Sequence, residues 1–166
     1  MSLTVRRIRP DEGETLRTHR LAALRDTPSA FGSTYDSEVG RTLAEWTDRA
    51  RLGADGRDRV TYLALLDRHV VGIVGGFRAA PDRPVVDLVS MWTAPAARRA
   101  GVGRALVASV VEWARDTGAT AVELWVAHGN EPAQRLYESC GFVETGDVAP
   151  LPSDPCRDEL RMRLVL

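Results

Sequence analysis

Arg98-Arg99-Ala100-Gly101-Val102-Gly103-Arg104 is the stretch on which the reading of this chain turns. Val85 to Thr93 runs into it as apolar and β-branched residues, a predicted strand, and Ala94-Pro95-Ala96 ends that strand. Arg104 to Thr117 runs out of it with apolar residues at helical spacing. Two glycines flanked by three arginines therefore sit at a strand-to-helix junction. A helix start offers unpaired backbone N–H groups and a partial positive charge, so it attracts an anion. Glycine lets the backbone approach that anion, and arginine adds charge and forked donors. The junction reads as a phosphate grip; the plainer reading is a turn, in which three arginines would repel one another with no anion between them.

Two common phosphate motifs are excluded. A dinucleotide fingerprint needs a third glycine, where this chain has Leu106. A Walker loop needs Gly-Lys-Ser/Thr, and all 22 basic residues here are arginine. The formal net charge of −1 argues against a nucleic-acid partner, because non-specific binding to phosphate backbones needs surplus positive charge. No apolar run reaches membrane-spanning length, and no secretory signal is legible. Cys140 and Cys156 make neither a disulfide framework nor a metal spacing, so no metal is expected and a cytoplasmic location is the default. At 166 residues, one domain over 1–166 is expected.

Outward from the loop, the pattern gives β-α-α-β-β-β-α-β-α-β-β. Leu3 to Arg9 alternates as a strand, and Pro10-Asp11-Glu12 opens a helix that ends near Thr27-Pro28. Ser29 to Gly40 reads as a polar loop, and Thr42-x-x-Glu45 as a capping box for a second helix. Val60 to Leu66 and His69 to Arg78 form a hairpin about Asp67-Arg68. Past the glycine loop and its helix come a strand at Thr120 to Ala127, a helix from Asn130 to Gly141, and strands at Phe142 to Val148 and Asp158 to Leu166. Ala149 to Arg157 reads as a proline-rich loop. Hairpins alternating with helices imply an α/β (α+β) fold with a mixed sheet.

In the second helix block, Asn130-Glu131-Pro132-Ala133-Gln134-Arg135-Leu136-Tyr137-Glu138-Ser139-Cys140-Gly141-Phe142, the residues Ala133, Leu136, Tyr137 and Cys140 share one face. Alone, Tyr137 reads as a core tyrosine and Asn130 as a helix cap. Taken together, Arg98-x-x-Gly101-x-Gly103 and Asn130-x-x-Ala133-x-x-Leu136-Tyr137-x-x-x-Gly141-Phe142 resemble the GNAT superfamily of acyl-CoA-dependent N-acyltransferases, and the element order matches along the whole chain.

The resemblance implies a mixed sheet of about seven strands flanked by about four helices, with two central parallel strands splayed apart. It implies that acetyl-CoA is the acyl donor. Backbone N–H groups from Arg99 through Ala100, Gly101, Val102 and Gly103 to Arg104 would hold the pyrophosphate, with the Arg98 and Arg99 side chains close by. The strand edge at Met91, Trp92 and Thr93 would pair with the pantetheine arm, Asn130 would contact it, and Ala133 lies on the same cofactor side. Tyr137 would protonate the leaving thiolate. Asp87 falls where relatives often carry a glutamate base, but Asp is shorter. It is either a base acting through water or an acid that orients substrate or pairs with an arginine. His128 is a second candidate base. Glu123 is expected on the solvent face of its strand, and Trp92 and Trp125 in the core. The loops around Phe31 and Tyr35 and around Pro150 to Pro155 would shape an acceptor pocket. The acceptor is a primary amine of a small molecule or peptide, and homodimers are common in the family. The alternative is a non-catalytic acyl-CoA-binding module of the same fold.

Overall fold

A computed structural model describes residues 2–166. In chain order the elements are β1 (Leu3–Arg7), α1 (Gly13–Asp26), α2 (Tyr35–Val39), α3 (Leu43–Asp55), β2 (Arg59–Leu66), β3 (His69–Phe77), β4 (Val85–Thr93), α4 (Val102–Asp116), β5 (Ala121–Ala127), α5 (Glu131–Ser139), β6 (Val143–Leu151) and β7 (Asp154–Val165). Single 3₁₀ turns at Pro28–Ala30 and Pro95–Ala97 start at prolines whose fixed φ suits a first helical position.

One seven-stranded sheet runs β1-β2-β3-β4-β5-β7-β6. Only β4 and β5 are parallel; every other neighbouring pair is antiparallel. The β2–β3 hairpin turns on Asp67 and Arg68, both at positive φ, which matches the right-handed twist of the flanking strands. Val86 and Leu88 on β4, and Val122, Leu124 and Val126 on β5, pack with Leu106, Val107 and Val110 of α4 on one face. On the other face α1 and α3 bury Leu16, Leu24, Trp46 and Ala50 against Leu63, Ile73 and Trp92. The apolar stripe of α4 is the core of the first layer.

The observed sheet has the expected seven strands and the expected parallel pair at its centre, but five α-helices rather than about four. The fifth is α2, inside the segment read as a loop. Its small polar residues hide a working start signal: Thr34 accepts from the Ser37 N–H while Ser37 accepts from the Thr34 N–H. The capping box at Thr42 and Glu45 starts α3 as expected. Pro10 to Glu12 form a turn ahead of α1, where Glu12 binds Arg6 and the Arg9 N–H instead of entering the helix. The expected proline-rich loop is a tight reversal between β6 and β7. Pro150 is tolerated on an edge strand, and Pro155 precedes the residues of β7 that pair with β5.

Candidate active site

Parallel β4 and β5 pair over only three residues each, Val85↔Ala121, Val86↔Val122 and Asp87↔Glu123. Beyond that point β4 stays on β3 and β5 on β7, so the two facing edges carry unpaired backbone groups. β4 contains a bulge: the register against β3 slips between Ile73↔Trp92 and Gly75↔Val89, and Ser90 sits at φ 58. A non-glycine residue in that region costs about 1 kcal/mol, so neighbours must hold it. Arg20 does so: its guanidinium donates to Ser90 Oγ at 3.0 Å.

The parting strands open a cleft of about 790 Å³. Met91, Trp92 and Thr93 form one wall and Trp125, Val126 and Ala127 the other. Arg98, Arg99 and Gly101 to Arg104 close one end, with Asn130, Ala133 and Tyr137 from α5 alongside. Of the residues expected on the cofactor side, all but Ala100 line this one cavity.

The junction loop is built from backbone. Arg99 (φ 66) and Gly101 (φ 79) are both left-handed, an alternation that turns successive N–H groups to one side. Gly101 caps α4 with no side-chain bond, and the helix begins two residues earlier than its arginine suggests. The first helical bond outside the cap runs from the Ala105 N–H to the Gly101 carbonyl, which leaves the N–H groups of Val102, Gly103 and Arg104 without helical acceptors. Gly103 serves close packing instead of backbone freedom: a Cβ there would lie 2.9 Å from Leu136 Cδ2 and 3.2 Å from Met91 Cε.

The arginines behave differently from one another. Arg98 donates to the Thr93 carbonyl at 3.1 Å and forms an ion pair with Asp26, which also accepts from the Trp92 indole N–H at 3.0 Å. Arg104 reaches Ser139 Oγ at 3.1 Å. Arg99 makes no ion pair among the described residues. Trp92 is buried, as expected, but it is also tied to a carboxylate.

Tyr137 is 6 % exposed, packs edge-on against Phe142, and its hydroxyl has no protein hydrogen bond among the described residues. Burial, with a smaller contribution from Cys140, pushes its phenol well above the ordinary tyrosine range. It remains protonated and able to donate at any working pH. Asn130 caps α5 by accepting from the Ala133 N–H at 3.4 Å, so its side-chain NH₂ is left for another partner.

Asp87 is half-buried at the base of the gap, on the sheet face opposite α4. Burial pushes its carboxyl above the usual range, the neighbouring Arg83 pulls it down, Glu123 pushes it up and Arg161 pulls it down again. Arg83 stands 3.9 Å from it. Glu123 departs from expectation: it is 1 % exposed, caged by Arg163 (2.9 Å), Arg83 (3.3 Å) and Arg161 (3.3 Å). Period-two alternation put it on the face away from α4, and three arginines from distant segments cover that face. Arg161 also lies over Trp125, 4.7 Å from the ring centroid. His128 is exposed and outside the cleft lining. Cys140 ends α5.

Sequence reasoning passed over the pair that braces the bulge. Arg20, 8 % exposed, binds Glu38, 1 % exposed, at 3.0 Å, and Arg49 binds the other Glu38 oxygen at 2.7 Å. No local pattern links residues 20, 38 and 90. The one hint was Arg20 within the apolar stripe of α1. The two expected acceptor walls do meet: Ser153 in the β6–β7 turn donates to the Phe31 carbonyl.

Residues 21–142 match the acetyltransferase (GNAT) family. The chain belongs to that family. It is 32% identical over 143 residues to a mycothiol acetyltransferase of Thermomonospora curvata, which covers 85% of this chain but only 44% of that relative. The chain thus spans less than half the length of this curated relative. A GNAT-family acetyltransferase from Streptococcus pneumoniae superimposes with a TM-score of 0.79 at 22% identity, over 99% of this chain and 100% of that one. A spermidine N-acetyltransferase from Vibrio cholerae, solved in complex with CoA and spermine, superimposes with a TM-score of 0.78 at 18% identity, over 98% of this chain and 95% of that one. These likenesses establish the GNAT fold. No helix among the described residues is long and apolar enough to cross a membrane.

Proposed function

We propose that this chain is a single-domain, cytoplasmic N-acetyltransferase that moves an acetyl group from acetyl-CoA to a primary amine by direct attack. The observation that carries the reading is the separation of β4 and β5 after Asp87 and Glu123, around a cleft lined by Val102 to Arg104 at the start of α4 and by Tyr137.

The residues present suit the cosubstrate. The open N–H groups from Val102 to Arg104, with Arg99 beside them, suit a pyrophosphate. The unpaired edge at Met91 to Thr93 suits an amide-bearing arm added like a strand. Acetyl-CoA supplies the activated acyl group as a thioester.

The chain's own groups then handle protons. An amine must lose its proton to attack, and near pH 7 a free amine is mostly protonated because its pKa is roughly 10. Asp87, held above the ordinary carboxylate range, accepts that proton directly or through a water. A backbone N–H on the splayed edge of β4 steadies the oxyanion as the N–C bond forms. When the C–S bond breaks, Tyr137 gives its proton to the departing sulfur and regains one from the acylated nitrogen, which leaves as the neutral amide. No covalent enzyme intermediate is needed.

The test mixes protein, acetyl-CoA and a broad amine panel, with detection of free CoA thiol. Amine-dependent thiol release supports transfer. Tight acetyl-CoA binding with no release by any amine identifies a binding module instead. Thermal stabilisation by ATP, with none by CoA or acetyl-CoA, overturns the reading.

A further inference from the structure

A second cavity of about 130 Å³ adjoins the cleft and shares Val89 and Ser90 with it. It lies between α1 and α3 on one side and β3 and β4 on the other. Leu16, Trp46, Ile73 and Phe77 give it apolar walls. Phe77 is the register partner of Asp87, so its ring and the carboxylate sit on the same sheet face, side by side. The cavity therefore lies beside Asp87, which lines neither cavity but stands next to the Phe77 wall of this one.

The charges around it are lopsided. Arg20, Arg49 and Arg59 all line the cavity. Among the described residues the carboxylate that pairs with Arg20 and Arg49 is Glu38, outside the lining and already shared by Arg20 at 3.0 Å, Arg49 at 2.7 Å and Arg41 at 3.9 Å. Arg59 pairs with no carboxylate among the described residues and stands over the Phe77 ring at 5.8 Å. Across Asp87 the same sheet face carries Arg83, Arg161 and Arg163 around Glu123, with Asp147 on the rim beside Arg161 and Glu159 two residues along β7. Each guanidinium has five N–H donors, so the few bonds made to Glu38 leave Arg49 with donors to spare, and Arg59 with more.

We infer that the amine acceptor carries a carboxylate: its apolar body fills this cavity, its carboxylate rests on Arg49 and Arg59, and its amine reaches Asp87 and the gap between β4 and β5. The inference rests on the acyltransferase reading. A fork of arginine donors recognises a carboxylate in a way an amide or a bare alkyl end cannot reproduce. The amino group of an apolar amino acid or of a small ω-amino acid meets both demands, whereas a polycation such as a polyamine would meet arginine at each wall.

The experiment compares matched sets: leucine with leucinamide and isopentylamine, phenylalanine with phenylalaninamide and phenethylamine, and 6-aminohexanoic acid with hexylamine. Thiol release should favour the carboxylate member of at least one set by about tenfold or more in kcat/KM. Arg59 is exposed, so Arg59→Gln should fold, raise KM for that acceptor about tenfold, and leave KM for acetyl-CoA unchanged, with Arg59→Lys recovering part of the loss. Equal use of all members of every set overturns the inference while leaving the acyltransferase reading intact. If none of these amines releases thiol, CoA-loaded protein is heated with N-acetylleucine and N-acetylphenylalanine or their amides. Stabilisation by the carboxylates alone, lost in Arg59→Gln, supports the inference, and no difference overturns it. Absence of any thermal shift with acetyl-CoA itself overturns the acyltransferase reading instead.

Discussion

The two sides of the central sheet are made from different materials. On the α4 side, the walls come from backbone: free N–H groups at a helix start, left-handed loop residues and a strand edge without a neighbour. On the opposite side, the walls come from side chains: Glu38 gripped by Arg20 and Arg49, and Glu123 caged by Arg83, Arg161 and Arg163. Backbone groups suit a ligand that never changes. Side chains can be exchanged one at a time, so the second face can be altered without disturbing the first.

Tyr137 stands on the first side and should show the largest effect. Tyr137→Phe is expected to lower turnover about a thousandfold with acetyl-CoA affinity near wild type, measured by thiol release and calorimetric titration. Unchanged turnover would remove the proton-donor role. On the other side, Glu38→Gln leaves Arg20 without a counter-charge in a buried setting and should cost about 3 kcal/mol in chemical denaturation. Arg20 and Arg49 hold the Glu38 carboxyl low despite burial. Its stabilising contribution is therefore complete above the unfolded carboxylate pKa and drains away as pH falls through the lower folded value. A variant as stable as wild type would show that the network decorates the fold without supporting it.

Asp87→Asn should lower turnover about a hundredfold at neutral pH. Because burial raises the Asp87 carboxyl, the wild-type rate should fall as pH drops through a value above the usual carboxylate range, where the base gains its proton. The variant should lose that acid limb, and a limb that persists would assign the base elsewhere. The smallest effect belongs to Gly101→Ala. Nothing lies within 4 Å of the added methyl, so only the left-handed backbone at φ 79 resists it, at about 1 kcal/mol. Acetyl-CoA should bind more weakly while the acceptor KM stays put, which would separate the two sides cleanly.

The same division explains what was legible from residues alone. The loop around Gly101, the Asn130 cap and the stripe of α4 obey local rules, and each of those rules operates within a few neighbours. Seven strands and their succession along the chain followed from hairpins and helices of ordinary length, whereas their order within the sheet did not. Helix α2 was missed because the three serines and one threonine between Ser29 and Gly40 read as loop and obscure a capping box that begins at Thr34. The cages about Glu38 and Glu123 were missed for a different reason. Each joins segments far apart in the chain, such as Arg20 with Ser90 or Arg83 with Arg163, and no periodicity encodes such partners. Glu123 was expected in solvent and is buried: alternation turns it away from α4, but no window of sequence discloses the arginines laid over it.

The bulge at Ser90 has one further effect. Val86 and Leu88 face the α4 core, yet after the extra residue it is Met91 that packs toward that core and Trp92 that turns to the opposite one. A single strand thus changes allegiance midway, supplying one chamber with its even-numbered side chains first and with an odd-numbered one later. The extra residue is what shifts the numbering without shifting the faces: deleting Ser90 would restore regular pairing with Met91 and Trp92 still in their present chambers, and would cost β4 the bend that a bulge puts into a strand.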